Sequence, residues 1–373
     1  MKVLTLNAGS RSHSARLYAV EARPPLDPPE PLWHAEIEAG RETFSDLLAK
    51  YTGGAPDVAG HRVVHPGPTL ATCRSALVDT GVRAALEAAI PLAPSHEPLA
   101  LEGIDAVRER FGEGTPNVAV FDAALGDDAP AFATTYPVPP AWRERCGVRR
   151  YGFHGISQRD VIDRTQRLFG ASDERRLVSV HLGSGCSVSA LLGRRIVETT
   201  MGMTPLEGLM MGSRSGSFDP GAIFYLLGEG KMQASDLEHA LNKDSGLKGV
   251  SGVSSDTRDI EAAIAKGNER AAFALDLFAY KIRWHIGALV AVLGGIDALS
   301  FTGPAGEHSA GVRARVCRDF DFLGLELDAA RNDAARPDCD IATSASRVRI
   351  AVIRTLEEWA IARLAATTPR PRT

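Results

Sequence analysis

The sequence predicts an α/β protein of two domains built on one repeated pattern, and three observations point there. At about 150 residues per domain, 373 residues hold two domains. The opening strand, turn and strand (Val3-Leu4-Thr5-Leu6, then Asn7 to Ser12, then Ala15 to Val20) have a counterpart at Leu177 to Ser187. Gly9-Ser10 and Gly183-Ser184 take the same place after the first strand of each. Two hairpins alike by chance would give the same pattern. The sharper reading is a duplicated domain whose halves face each other, each lining a cleft with a phosphate turn, since clefts between domains are common ligand sites.

Small residues between β-rich runs are what the opening hairpin needs. The Pro-rich stretch from Pro24 to Pro31 reads as a surface excursion, and Gly53 to Pro56 as a loop. Helices follow at Thr80 to Ala89 and at Glu97 to Phe111, where Pro98 suits a first helical turn. Further helices are expected at Gln158 to Phe169, Pro220 to Leu227 and Asp259 to Lys266. The apolar-periodic stretch from Glu269 to Leu293 is the strongest helix in the chain. A short strand from Arg349 to Arg354 precedes a final helix. The expected division is residues 1–150 and 151–354, with the C-terminal helix, 355–368, crossing back to complete the first domain.

Composition narrows the function. A net charge of −4 is too balanced to imply nucleic acid or an anionic membrane as partner. Five scattered cysteines without a CxxC argue against a disulfide framework or structural zinc. No signal peptide and no apolar run of about 18 residues are seen, so a cytoplasmic protein is expected.

Four glycine-containing turns follow apolar strands: Asn7 to Ser12, His181 to Ser187, Met201 to Asp219 and Phe301 to Ser309. Exposed N–H groups in such turns can cradle phosphate oxygens. One such turn usually only turns the chain; four behind strands say more. None fits GxxxxGK[ST], so this is not a P-loop protein, and no GxGxxG opens a helix. Arg214, in Gly212-Ser-Arg-Ser-Gly216, is either a surface arginine or a guanidinium held for an anion. Arg62, between apolar neighbours at a strand end, also needs an anion. Asp122 closes the strand Val118 to Phe121, where open α/β sheets place ligands; there it caps the strand, binds metal or holds an arginine. His154 stands out among ten histidines because aromatics, glycines and two arginines surround it.

These segments together resemble the acetate kinases. The resemblance runs through Asn7 to Ser12, Gly60 to His65, Ala93 to Gly103, Val118 to Asp122, Arg149 to Gly155, His181 to Ser187, Met201 to Gly221, Ser245 to Asp259, Phe301 to Ser309 and Thr355 to Arg363. It implies two duplicated ribonuclease H-like domains of the actin and sugar kinase superfamily, with an interdomain cleft. It implies a homodimer that moves the ATP γ-phosphoryl reversibly onto acetate, giving acetyl phosphate and ADP, with Mg2+, which Mn2+ can replace. By resemblance, Arg62, Asp122, His154 and Arg214 are catalytic, and Val64, Phe153 and Pro205 join Arg62 around the acid. Ser12, His181, Gly183, Ser184, Gly185, Asp256, Thr257, Arg258, Pro304, Ala305, Gly306 and His308 would contact the nucleotide, and Asn7 and Glu357 would hold the metal.

Several positions depart from the family pattern. Ser14 stands in place of a lysine, Pro66 of a glycine, Ser184 of an asparagine and Leu356 of an asparagine beside Glu357. In the family's Ala-Pro-Leu-His-Asn-Pro, Ser95 replaces the leucine and Glu97 the asparagine. The charged catalytic candidates all remain. Competing readings are a kinase for propionate or another short acid, and a catalytically weak nucleotide-binding homologue.

Overall fold

The computed structural model describes residues 1–9, 12–126 and 128–369. Ser10 and Arg11 of the expected first phosphate turn lie outside the described residues. The chain forms two compact units, Met1–Asp127 with Pro137–Asp160 and Leu356–Thr373, and Asp128–Tyr136 with Val161–Thr355. The main changeover falls inside the helix Gly155–Phe169, past the expected 150/151 boundary.

The first unit is built on a six-stranded sheet. Its strands are β1 (Lys2–Ala8), β2 (Ser12–Ala19), β3 (Trp33–Glu38), β4 (Val58–Val63), β5 (Ser75–Leu77) and β6 (Asn117–Phe121), in the order β3-β2-β1-β4-β6-β5. β1, β4 and β6 run parallel; the others pair antiparallel. The second unit repeats this plan with β7 (Arg176–Leu182), β8 (Cys186–Leu192), β9 (Arg195–Thr199), β10 (Ala298–Thr302), β11 (Cys339–Asp340) and β12 (Arg349–Val352). Read from β9, their order is β9-β8-β7-β10-β12-β11, with β7, β10 and β12 parallel and the other three antiparallel. Strand for strand the two sheets match, so the hairpin repeat reflects a duplicated α/β domain and not chance.

Side chains alternate across a strand, and β1 shows it. Leu4 and Leu6 enter a core with Phe44, Leu47 and Val107, while Val3 joins Val58, Val118, Trp359 and Ile361 on the other face. The helix Glu357–Thr367 therefore closes one face of the first sheet. Gly60 in β4 permits this, because a Cβ there would sit 2.8 Å from the Ala365 methyl. Trp359 also pins the Pro-rich excursion, its indole N–H donating to Pro25 O at 3.0 Å.

The helices at Thr80–Ala89, Glu97–Phe111, Pro220–Leu227 and Glu269–Leu293 form as expected. The segment after β10 differs. It was expected as a glycine turn, yet Gly303–His308 is helical, with Pro304 in its first turn, where proline's missing N–H costs nothing. Among the described residues no helix is long and apolar enough to cross a membrane.

Candidate active site

In the first unit, three adjacent parallel strands each carry a polar residue within one position of their C-terminal end. Asn7 lies near the end of β1, Arg62 near the end of β4, and Asp122 directly after β6. The Arg62 Nη2 donates to Asp122 Oδ2 at 2.6 Å, with the two side chains 14% and 1% exposed. The Arg62 Nε is 4.0 Å from Glu357 Oε2 and has no hydrogen-bond partner among the described residues. Asp122 and Glu357 hold the guanidinium firmly charged against its burial. Burial pushes the Glu357 carboxyl well up, Arg62 opposes this, and Asp122 and Glu358 reinforce it. The Asn7 amide hydrogen-bonds Glu357, while its Oδ1 is buried with no partner among the described residues.

Asp122 also sits at the start of the helix Gly155–Phe169, with its Oδ1 3.4 Å from the Ile156 N–H. His154, immediately before that helix, is buried and has φ 62°, a left-handed conformation rare outside glycine. Such conformations cost on the order of 1–3 kcal/mol and gather at functional sites. Gly155 follows because a Cβ there would meet Ala123 O at 2.2 Å. Val64 and Phe153 are buried, and the His65 ring lies 5.6 Å from that of Phe153. Ser14, at the lysine's position, donates to Glu358 Oε1 at 3.1 Å.

The second unit carries the remaining candidates. Leu182 ends β7, and Gly183-Ser184-Gly185 turn the chain into β8, the Gly183 N–H donating to Gly185 O at 3.0 Å. Gly303, at φ 78°, lies so close to Leu182 that a Cβ would be 2.8 Å from its backbone. This places the Gly303–His308 helix beside the β7–β8 turn. Arg214 donates to Pro205 O at 3.2 Å, and its charge reaches the buried Cys186 thiol, partly offsetting a burial that raises it to about 12. Arg214 and Pro205 thus belong with the β7–β8 turn. Asp256 caps the helix Thr257–Ala265 and binds Arg258 at 2.7 Å, an arginine otherwise largely exposed.

Sequence reasoning missed two groups here. Thr355 knits the second unit's turn: its hydroxyl accepts from the Gly303 N–H at 2.7 Å and its own N–H donates to Glu307 Oε1 at 2.9 Å. Arg313 is buried and donates to Gly306 O and Glu307 O, at 2.9 and 2.8 Å. Thr355 entered only as the first residue of the Thr355 to Arg363 segment, with no role attached, and Arg313 lies in none of the motifs.

The acetokinase family profile matches residues 34–363. The chain belongs to the acetokinase family. It is 44% identical over 399 residues to an acetate kinase of Cyanothece sp. (strain PCC 7425 / ATCC 29141), covering 97% of each chain. It is 43% identical over 396 residues to one from Acaryochloris marina, covering 97% of this chain and 98% of that one. Among solved structures, Porphyromonas gingivalis acetate kinase aligns with TM-score 0.84 at 35% identity, over 98% of this chain and 99% of its own. A Francisella tularensis propionate kinase aligns at 0.85 and 28%, over 99% and 100%. Membership of the acetokinase family makes the chain a kinase, a phosphotransferase that uses ATP.

Proposed function

We propose that the chain is an acetate kinase that passes the ATP γ-phosphoryl directly to the acetate carboxylate, reversibly, giving acetyl phosphate and ADP. The observation that supports the acceptor assignment is Arg62, a buried guanidinium held charged by Asp122 whose Nε–H no described residue accepts. A carboxylate acceptor is already ionised near neutral pH and needs no general base. Catalysis then consists of holding two anions together and spreading the charge on the group in flight. Arg62 and Arg214 bind the acid carboxylate and the phosphoryl oxygens, His154 donates a hydrogen bond to that group, and Asp122 orients Arg62. Val64, Phe153 and Pro205 form the apolar surround of the acid's methyl group.

The nucleotide is held by Ser12, by the turn His181, Gly183, Ser184 and Gly185, and by Pro304, Ala305, Gly306 and His308. Asp256, Thr257 and Arg258 contact the nucleoside. Among the described residues no group of three or more His, Cys, Asp or Glu could hold a metal. Asn7 and Glu357 nevertheless fit Mg2+, or Mn2+ in its place: one offers a buried oxygen that no described residue pairs with, and the other a carboxylate. Two protein oxygens suffice for an ion that keeps water and phosphate ligands. When bound, the ion would neutralise phosphate charge.

A stripe of exposed aromatics on Glu269–Leu293, Phe273, Tyr280 and Trp284, supports a homodimer as the assembly. Five free cysteines, one of them exposed, suit a reducing cytoplasm. The test of activity is ATP-dependent formation of acyl phosphate, trapped with hydroxylamine, across acetate, propionate and glycolate. Highest kcat/KM with acetate is expected. Preference for a longer acid would reassign the substrate, and no turnover with any acid would leave only a nucleotide-binding protein.

A further inference from the structure

Glu97 opens the helix Glu97–Phe111 and has no exposure to solvent. A buried carboxyl is costly unless both oxygens are paired. Here only one is. Oε1 accepts from the His65 N–H at 2.7 Å, with the Val64 N–H directed at the same carboxyl, while Oε2 is buried with no partner among the described residues. Among the described residues no cation pairs with it, and the charge it feels is that of Arg62. Burial raises this carboxyl to about 7, against the pull of the two N–H groups and Arg62. A neutral acid whose proton rests on Oε2 is the form that burial favours.

The same corner of chain, from Arg62 to His65, carries the residues assigned to the acid's carboxylate and methyl group. We propose that Glu97 is a positioning residue for the acid substrate: Oε1 fixes the corner that carries Arg62 and Val64, and the proton on Oε2 decides how much negative charge the incoming carboxylate meets. This role rests on the acid-kinase reading above. It also gives a reason for a carboxyl where the related pattern has an asparagine. A protonated Glu97 is as neutral as an amide, but it becomes an anion as pH rises.

The surroundings restrict what else can titrate. On the same strand, burial lowers His61 to about 4, so it is neutral across the assay range. His65 follows β4, its ring against Tyr151 and Phe153. Asp122 lies after β6, and Glu357 and Glu358 begin the last helix. Glu97's own helix carries Glu102, Asp105 and Arg108, and Arg83 of Thr80–Ala89 is tied to Asp105. The Glu357 titration is common to the parent and to a Glu97 variant, so it cancels when their profiles are compared.

The experiment is KM and kcat for acetate from pH 6 to 9 in the parent and in Glu97→Gln, with Tm measured for both. Acetate itself stays ionised throughout. At an effective dielectric constant of about 20, a like charge about 10 Å away weakens binding by about tenfold. The parent KM should rise by about that factor with a midpoint near 7, kcat moving little. Glu97→Gln keeps an acceptor for the N–H groups, and its KM should lose most of that rise. Coincident profiles in parent and variant would overturn the role. So would a parent KM that stays flat over the whole range, a result that needs no folded variant. Absence of acid-dependent turnover in the parent would overturn both this role and the reading beneath it, whereas a flat KM strikes this role alone.

Discussion

Replacing Arg62 by alanine removes one guanidinium and strands two carboxyls. Asp122 is 1% exposed and loses its 2.6 Å partner, and Glu357 loses the cation that opposes its rise. Breaking a buried pair from one side costs about 3–5 kcal/mol, against a total stability of about 5–15 kcal/mol. The variant should therefore stay folded with a clearly lower Tm. Its catalytic loss is separate. Removing a donor aimed at transition-state charge costs about 3 kcal/mol or more, on the order of a hundredfold in kcat. The double variant Arg62→Ala/Asp122→Asn distinguishes the two effects, because it removes the closer and more deeply buried of the two stranded charges without restoring the donor. Tm should recover most of its loss while kcat stays down. Hydroxamate formation at saturating ATP and acetate, with Tm measured alongside, supplies both readouts. A folded Arg62→Ala with near-parental kcat would refute the assignment, and a double variant that regained activity would show that Arg62 matters only as a counter-charge.

Glu357→Gln should raise the Mg2+ concentration for half-maximal rate far more than the KM for acetate, and coincident Mg2+ titrations would remove it as a ligand. Thr355→Val takes away the acceptor for the Gly303 N–H, so KM for ATP should rise severalfold while KM for acetate holds; equal changes in both would point to general loosening. Glu97→Gln should gain stability on the parent as pH rises. A carboxyl raised to about 7 in the fold, from about 4.3 unfolded, stabilises fully below the lower value and loses that contribution by about pH 7, so the Tm gap should open across that window. Serine at Phe273, Tyr280 and Trp284 together should shift sedimentation from dimer to monomer, and an unchanged parent-like species would place the interface elsewhere.

Much of the fold was legible because its elements carry local signals. Pro98 marks Glu97–Phe111, and the long apolar-periodic run marks Glu269–Leu293. The edge strand Trp33–Glu38 was not read, since Trp-His-Ala-Glu-Ile-Glu buries little beyond Ile37 and lacks a strong apolar face. Gly303–His308 was read as a turn because its glycines disguise a helix that packing and Thr355 stabilise. At the site, Arg62, Asp122 and His154 announced themselves as charged or unusual residues at strand ends and among glycines. Glu97 was visible only as a departure from a pattern. That its carboxyl is wholly buried with one oxygen unpartnered depends on how the helix meets β4, which no spacing encodes.

The helix Glu357–Thr367 also orders events during synthesis. The first sheet's strands emerge early, but the apolar face bearing Val3, Val58 and Val118 has no cover until the final helix leaves the ribosome. The second unit's strands and helices, by contrast, are complete by Thr355. A nascent chain can close its later half first and must keep its earlier half from aggregating meanwhile, because contacts so distant in sequence form slowly. The same helix begins with Glu357, so a chain cut short near its end loses at one stroke the cover of its first core and a carboxylate of the candidate site.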